Sequence, residues 1–105
     1  MATSLADGVT AKGAITFLSA EVNGVFVQLK DTSGNLVIAD PDGCGRNYMF
    51  MLDKNHTEFK TLYAALLVAY TNNNPVYFKL SGCAGTPGDT WSHISYVIQG
   101  DYQSP

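Results

Sequence analysis

The sequence predicts a mostly β protein with one α-helix, held by a single disulfide. Three observations lead there. Short apolar runs in the first half alternate with polar residues and are punctuated by Gly, Asn and Asp. One stretch, from about Asn55 to Asn72, carries apolar residues at helical rather than strand spacing. The two cysteines, Cys44 and Cys83, both sit among turn-forming residues.

The first strand is expected over Val9 to Phe17, where Val9, Ala11, Ile15 and Phe17 are set against Thr10, Lys12, Ala14 and Thr16 in the period of two for a half-buried strand. Gly13 interrupts it, and a strand glycine marks a bulge or a tight bend. Asn23-Gly24 is a strong hairpin signal, since both central residues of a type I′ turn need positive φ. It leads into Val25 to Leu29. After the turn Asp31 to Asn35, a third strand is expected over Leu36 to Ala39, so that the three form a meander. Beyond Asp40-Pro41-Asp42-Gly43, the run Tyr48 to Leu52 reads as a fourth strand, short or at an edge.

Asn55 is a candidate N-cap, and Glu58 three residues on completes the pattern of a capping box. Phe59, Leu62, Tyr63, Leu66 and Tyr70 form one apolar stripe. Ala64, Leu67, Val68 and Thr71 lie off it, which leaves the second half of the helix apolar nearly all round. Either loops cover that second face or another subunit does, and Ala64, Leu67, Val68 and Thr71 are expected to form the interface of a homo-oligomer. Asn72-Asn73-Asn74-Pro75 ends the helix, because proline restricts the residue before it. Two further strands follow, with Val76, Phe78 and Leu80 inward on one and Ile94, Tyr96 and Ile98 inward on the other. A Gly-, Pro- and Thr-rich connection, Gly82 to Thr90, joins them. This order fits an OB-fold-like Greek-key barrel of five to six strands with one α-helix, as one domain over residues 1–105.

Composition narrows the function classes. A chain of 105 residues with 46% hydrophobic side chains supports one core rather than two. Charged residues are 14% and the net charge is -3, so no basic field favours nucleic acid. No apolar run reaches the roughly 20 residues of a membrane span, and membrane insertion is not expected. Gly-x-Ser-x-Gly, a phosphate loop and His-Glu-x-x-His are all absent, and the nine acidic residues fall mostly in turns, so the chain is expected not to be an enzyme and to need no cofactor.

Cys44 and Cys83 have no His or Cys within four residues, which disfavours a metal site. A catalytic thiol using His56 or His93 as its base is the other reading, without local support. A disulfide is expected, and closing a loop of roughly 40 residues stabilises by about 4 kcal/mol in the chain-entropy account. It implies an oxidising compartment, secreted or periplasmic. The start, Met1-Ala2-Thr3-Ser4, has no charged and apolar leader regions, so the chain reads as a mature form.

Asp89-Thr90-Trp91-Ser92-His93 supplies the candidate binding site. An aromatic ring stacks on sugar CH groups, while carboxylate, hydroxyl and imidazole pair with sugar hydroxyls. Trp91 capping the barrel end, beside an ordinary surface His93, is the plainer alternative. Asp40, Asp42, Arg46 and Asn47 form a second loop whose Asp-x-Asp-Gly run lacks the later acidic ligand of a calcium loop; turn formation explains it equally well. Tyr48, Met49, Phe50 and Met51 divide between core and interface.

The second half also carries a family resemblance. Phe59-Lys60-Thr61-Leu62, Ala65-Leu66-Leu67, Ala69-Tyr70, Pro75 to Cys83, Asp89-Thr90-Trp91 and Ile94 to Ile98 resemble small secreted bacterial proteins related to the B subunit of subtilase cytotoxin. The resemblance implies an OB-fold, a ring-shaped pentamer, binding of host cell-surface sialylated glycans and a toxic A subunit as partner. The expected function is a secreted, oligomeric carbohydrate-binding module, with Asp89, Thr90, Trp91, His93 and Arg46 as its glycan residues. The competing expectation is a structural or protein-interaction domain without a sugar site. Cys83 lies between the helix hairpin and the Gly85 to Trp91 stretch, so the disulfide is expected to support binding as well as folding.

Overall fold

The computed structural model describes residues 8–100; the expectation of a mature start at residues 1–4 lies outside them. In chain order the elements are strands β1 (Ala14–Glu21), β2 (Gly24–Lys30) and β3 (Phe50–Asp53), helix α1 (Phe59–Asn72), and strands β4 (Val76–Thr86) and β5 (Asp89–Gln99). The strands make one mixed sheet in the order β1-β2-β3-β5-β4. Only β3 and β5 run parallel. Among the described residues no continuous ladder closes the sheet into a barrel; the isolated bridges Val9 to Lys79 and Gly13 to Val76 tie the chain ahead of β1 to β4.

Inward side chains of every strand meet one face of α1. Ile15, Val25, Val27, Leu29, Phe50, Leu52, Val76, Phe78, Leu80 and Ile94 are buried with Leu66 and Ala69 of the helix. Phe50 and Phe78 meet edge to face at 5.8 Å, an orientation the ring quadrupoles favour. Phe59, Leu62 and Tyr63 pack at the margin of this core. Leu67 and Val68 are exposed, as are Ala64 and Thr71, so among the described residues nothing covers the second apolar face. Tyr70, placed with the buried stripe by its spacing, is instead 46% exposed. No described helix is long and apolar enough to cross a membrane.

Several expectations need correction. Leu36 to Ala39 is not a strand: Leu36 makes one bridge to Lys30, the Val37 N–H donates to Leu29, and the rest is loop. One edge of β2 is filled by β1 and most of the other by β3, which takes Gly24 to Val27. Only the end of β2 is left for this segment. The fourth apolar run is short, as expected, but central, between β2 and β5. The first hairpin turns through Val22 and Asn23, since Glu21 pairs with Gly24. Gly24 is required by a close approach, because a Cβ there would overlap the Leu52 carbonyl oxygen.

Two of the three register shifts in the sheet reset which side chains face inward. Between β1 and β2 the register moves from Ile15/Leu29 to Phe17/Gln28, skipping Thr16. Ile15 is therefore buried while Phe17 is exposed. On β5 the register skips Ser95, so Ile94 is buried and Tyr96 is 59% exposed. Val97, not Tyr96, packs on the core. Each change follows from the period of two, which an extra residue inverts.

The helix begins at Phe59, with Glu58 as an N-cap that makes no side-chain bond. Asn55 does not cap it. Its N–H is taken by the Asp53 carboxylate at 3.1 Å, and the His56 Nδ1 accepts the Glu58 N–H at 2.9 Å. These local bonds fold residues 53–58 as turns in competition with a helical start. At the other end Asn73 takes the left-handed conformation, φ 56°, and the Asn74 N–H donates to Ala69 at 2.9 Å. That closes the helix where the asparagines place its end.

Candidate functional site

The stretch Gly82 to Thr90 is not an open loop. β4 and β5 continue through it to a two-residue turn at Pro87-Gly88, with Thr86 paired to Asp89 and Ala84 to Trp91. The extended hairpin carries Asp89 and Trp91 past the start of β3, at the opposite end of the ladder from the β1–β2 turn, and the two hairpins face each other across the sheet. Between the two hairpins is a cleft of about 670 Å³ whose lining includes Glu21, Asn23, Phe26, Asp53, Asp89 and Trp91, within the usual size range for small-ligand sites.

Trp91 is the centre of this wall. Its indole meets Phe26 edge on, with centroids 4.7 Å apart. Gly85 lies beneath the ring: a Cβ there would come 3.3 Å from Trp91 Cε3 and overlap the Asp89 carbonyl. Gly85 also has φ 125°, a conformation L side chains avoid. The glycine therefore lets the indole lie against the β4 backbone. Trp91 Nε1 has no hydrogen-bond partner.

A strap formed by residues 40–46 crosses to this hairpin. The disulfide Cys44–Cys83 joins the two, with Cα atoms 5.6 Å apart. Thr90 Oγ1 donates to the Cys44 carbonyl at 2.7 Å, and the Gly82 N–H donates to the Asp42 carboxylate at 2.7 Å. Asp40 accepts from the Cys44 N–H at 2.7 Å, the Gly45 N–H at 3.0 Å and Ser92 Oγ at 3.2 Å. Burial works to raise its pKa, but these three bonds outweigh that and hold the carboxyl below its ordinary value. Asp40 and Asp42 thus fasten backbone, the turn-forming use of the Asp-x-Asp-Gly run. Among the described residues no group of three or more His, Cys, Asp or Glu could hold a metal ion.

The strap delivers Arg46 to the indole. Its guanidinium lies over the Trp91 ring at 4.6 Å, pairs with Asp89 at 2.5 Å and donates to the Thr90 carbonyl at 3.4 Å. Four of the sequence-derived candidates, Arg46, Asp89, Thr90 and Trp91, are therefore in one cluster. Asp89 and Trp91 line the cleft, while Arg46 and Thr90 are not among its lining residues.

His93 stands apart. It lies on the same side of β5 as Trp91, pairs across β3 with Met51, and its ring is 5.4 Å from that of His56. Burial lowers its pKa, the neighbouring His56 acts in the same direction, and Asp53 partly opposes them. Its Nε2 has no hydrogen-bond partner. The sequence reading missed Phe26, Asp53 and Glu21 as cleft residues. The two turn signals, Asn23-Gly24 and Pro87-Gly88, were the available clue, because hairpins that face each other across a sheet bracket the space between them. Comparison of the chain with family models, curated proteins and solved structures finds no match.

Proposed function

We propose that the chain is a non-catalytic carbohydrate-binding module of OB-fold type that takes its glycan in the cleft between the β1–β2 and β4–β5 hairpins. The observation that carries this reading is the aromatic wall: Trp91 and Phe26 line a cleft that also presents Asp53, Asp89 and Asn23. With the Arg46 guanidinium over the indole and the Gly85 backbone beneath it, such a wall offers ring edges to the CH groups of a sugar, while its polar groups pair with the hydroxyls. OB-folds use the face of strands 2 and 3 with these same two loops to bind oligosaccharides. The OB assignment is supported by the β1-β2-β3-β5-β4 order, the helix between β3 and β4 and the two bridges from the chain ahead of β1 to β4.

The likeness to toxin B subunits supports host cell-surface sialylated glycans as ligands, a pentamer and a toxic A subunit as further parts of the proposal. The disulfide supports secretion or a periplasmic location. The uncovered helix face of Ala64, Leu67, Val68 and Thr71 is the proposed contact between copies. A glycan array on the native protein tests the binding reading: Trp91→Ala should abolish every signal of the wild type. No signal for any sugar would refute it and favour a protein-interaction domain, the reading to which the exposed Leu67, Val68 and Tyr96 lend support.

A further inference from the structure

We propose that Arg46 is a positioning residue, held by the disulfide-bonded strap, that fixes the Trp91 indole as the wall of the cleft without itself touching the ligand. The proposal rests on the binding reading for its functional meaning and on geometry for the rest. The guanidinium lies 4.6 Å over the ring, yet Arg46 does not line the cleft. Both of its nitrogen ends are occupied, one by the Asp89 carboxylate and the other by the Thr90 carbonyl. Asp89 and Thr90 directly precede Trp91, so the clamp grips the ring and the backbone that carries it.

Arg46 has this position because its loop has little freedom. Two residues away, Cys44 is bonded to Cys83 and its carbonyl accepts from Thr90. The ring is confined from three directions, by the guanidinium over it, by Phe26 at 4.7 Å and by the Gly85 backbone below. Fixing an aromatic wall before the ligand arrives lowers the ordering cost of binding. A planar, forked cation suits this task better than an ammonium, because it can stack on the ring and make both polar contacts at once.

Trp91 is the only tryptophan in the chain, so its fluorescence reports on the clamp with no ligand present. Acrylamide quenching and the emission maximum are to be measured for wild type, Arg46→Ala, Arg46→Lys and the reduced wild type, with circular dichroism to confirm that each remains folded. Arg46→Ala should shift the ring's clamped-to-free ratio about three- to fivefold, the factor a cation–π contact of ordinary strength represents, and so raise the quenching constant and move emission to the red. Arg46→Lys should recover only part of this, and reduction of Cys44–Cys83 should resemble Arg46→Ala. On the array, Arg46→Ala should weaken binding of whichever glycans the wild type retains without changing which they are. Unchanged quenching and emission in Arg46→Ala would overturn the proposal, as would an altered glycan preference, which would place Arg46 on the ligand. An array with no wild-type signal overturns the binding reading instead, and the fluorescence still decides whether Arg46 clamps the ring.

Discussion

Asp40 is where the strap is most exposed to a single substitution. Its Oδ1 accepts from the Cys44 N–H and Ser92 Oγ, and its Oδ2 from the Gly45 N–H. Ser92 is 1% exposed and Cys44 8%, so water cannot readily replace the carboxylate at either, whereas Gly45 is exposed. Hydrogen bonds to a charged group contribute about 1.5–3 kcal/mol, and a buried donor left unpaired costs about 1–3 kcal/mol. Counting two buried donors and discounting Gly45, Asp40→Ala should destabilise by about 3 kcal/mol. Asp40→Asn keeps Oδ1 and should cost about 1 kcal/mol. Urea unfolding with the disulfide intact measures both, read as a shift in midpoint at constant slope. The sign with pH follows from the lowered carboxyl pKa. The unfolded carboxyl titrates near pH 3.9, so Asp40's contribution is full above that pH and is lost as pH falls through the lower folded value. The Asp40→Asn protein should therefore lose less stability on the acid limb than wild type. A cost below about 0.5 kcal/mol for Asp40→Ala, the range of an ordinary surface change, or identical acid limbs would refute the reasoning.

Three other expectations concern separate parts of the molecule. Gly13→Ala places a Cβ 2.6 Å from the Lys30 carbonyl oxygen and 3.2 Å from Val37; it should destabilise by about 1–3 kcal/mol, as overpacking does, seen as a lower melting temperature. Because burial and His56 lower the His93 pKa, its contribution to stability is full above about pH 6.5 and is lost as pH falls through the lower folded value; His93→Gln should flatten that dependence in pH-resolved unfolding. Leu67→Glu should dissociate the proposed assembly with the β circular dichroism signal unchanged, and a monomeric wild type by light scattering would refute the interface.

The fold was legible where a segment obeys one period throughout. Val25 to Leu29 and Val76 to Leu80 alternate cleanly and are buried in alternation. The asparagine run ended the helix where it was read to end. Legibility failed where a bond between distant or non-periodic groups decided the outcome. The inward face of β5 inverts at Ser95, and nothing in Ser-His-Ile-Ser-Tyr announces an unpaired residue. Leu36 to Ala39 has good strand composition, but a strand also needs a free edge, and β3, which begins at Phe50, takes most of the one available. The start of α1 was displaced by two side chains, those of Asp53 and His56, that supply ordinary turn bonds no spacing rule weighs against a capping box.

The site was legible in its residues more than in its roles. Asp89, Thr90 and Trp91 could be grouped because they are consecutive, and Arg46 joins them because the disulfide returns residue 44 to residue 83. From the sequence, all four look alike as sugar-binding chemistry. The geometry separates them by what they face: Asp89 and Trp91 line the cleft, whereas Thr90 and Arg46 are turned to the strap and the ring. The missed wall, Phe26, comes from the strand two places across the sheet from β5, with β3 between them. It sits opposite Met51, which sits opposite His93, and it meets Trp91, two residues before His93, on a diagonal across β3. Aromatic side chains of non-adjacent strands thus meet on one face across the central strand, and the cleft is a consequence of that register as much as of the residues that line it.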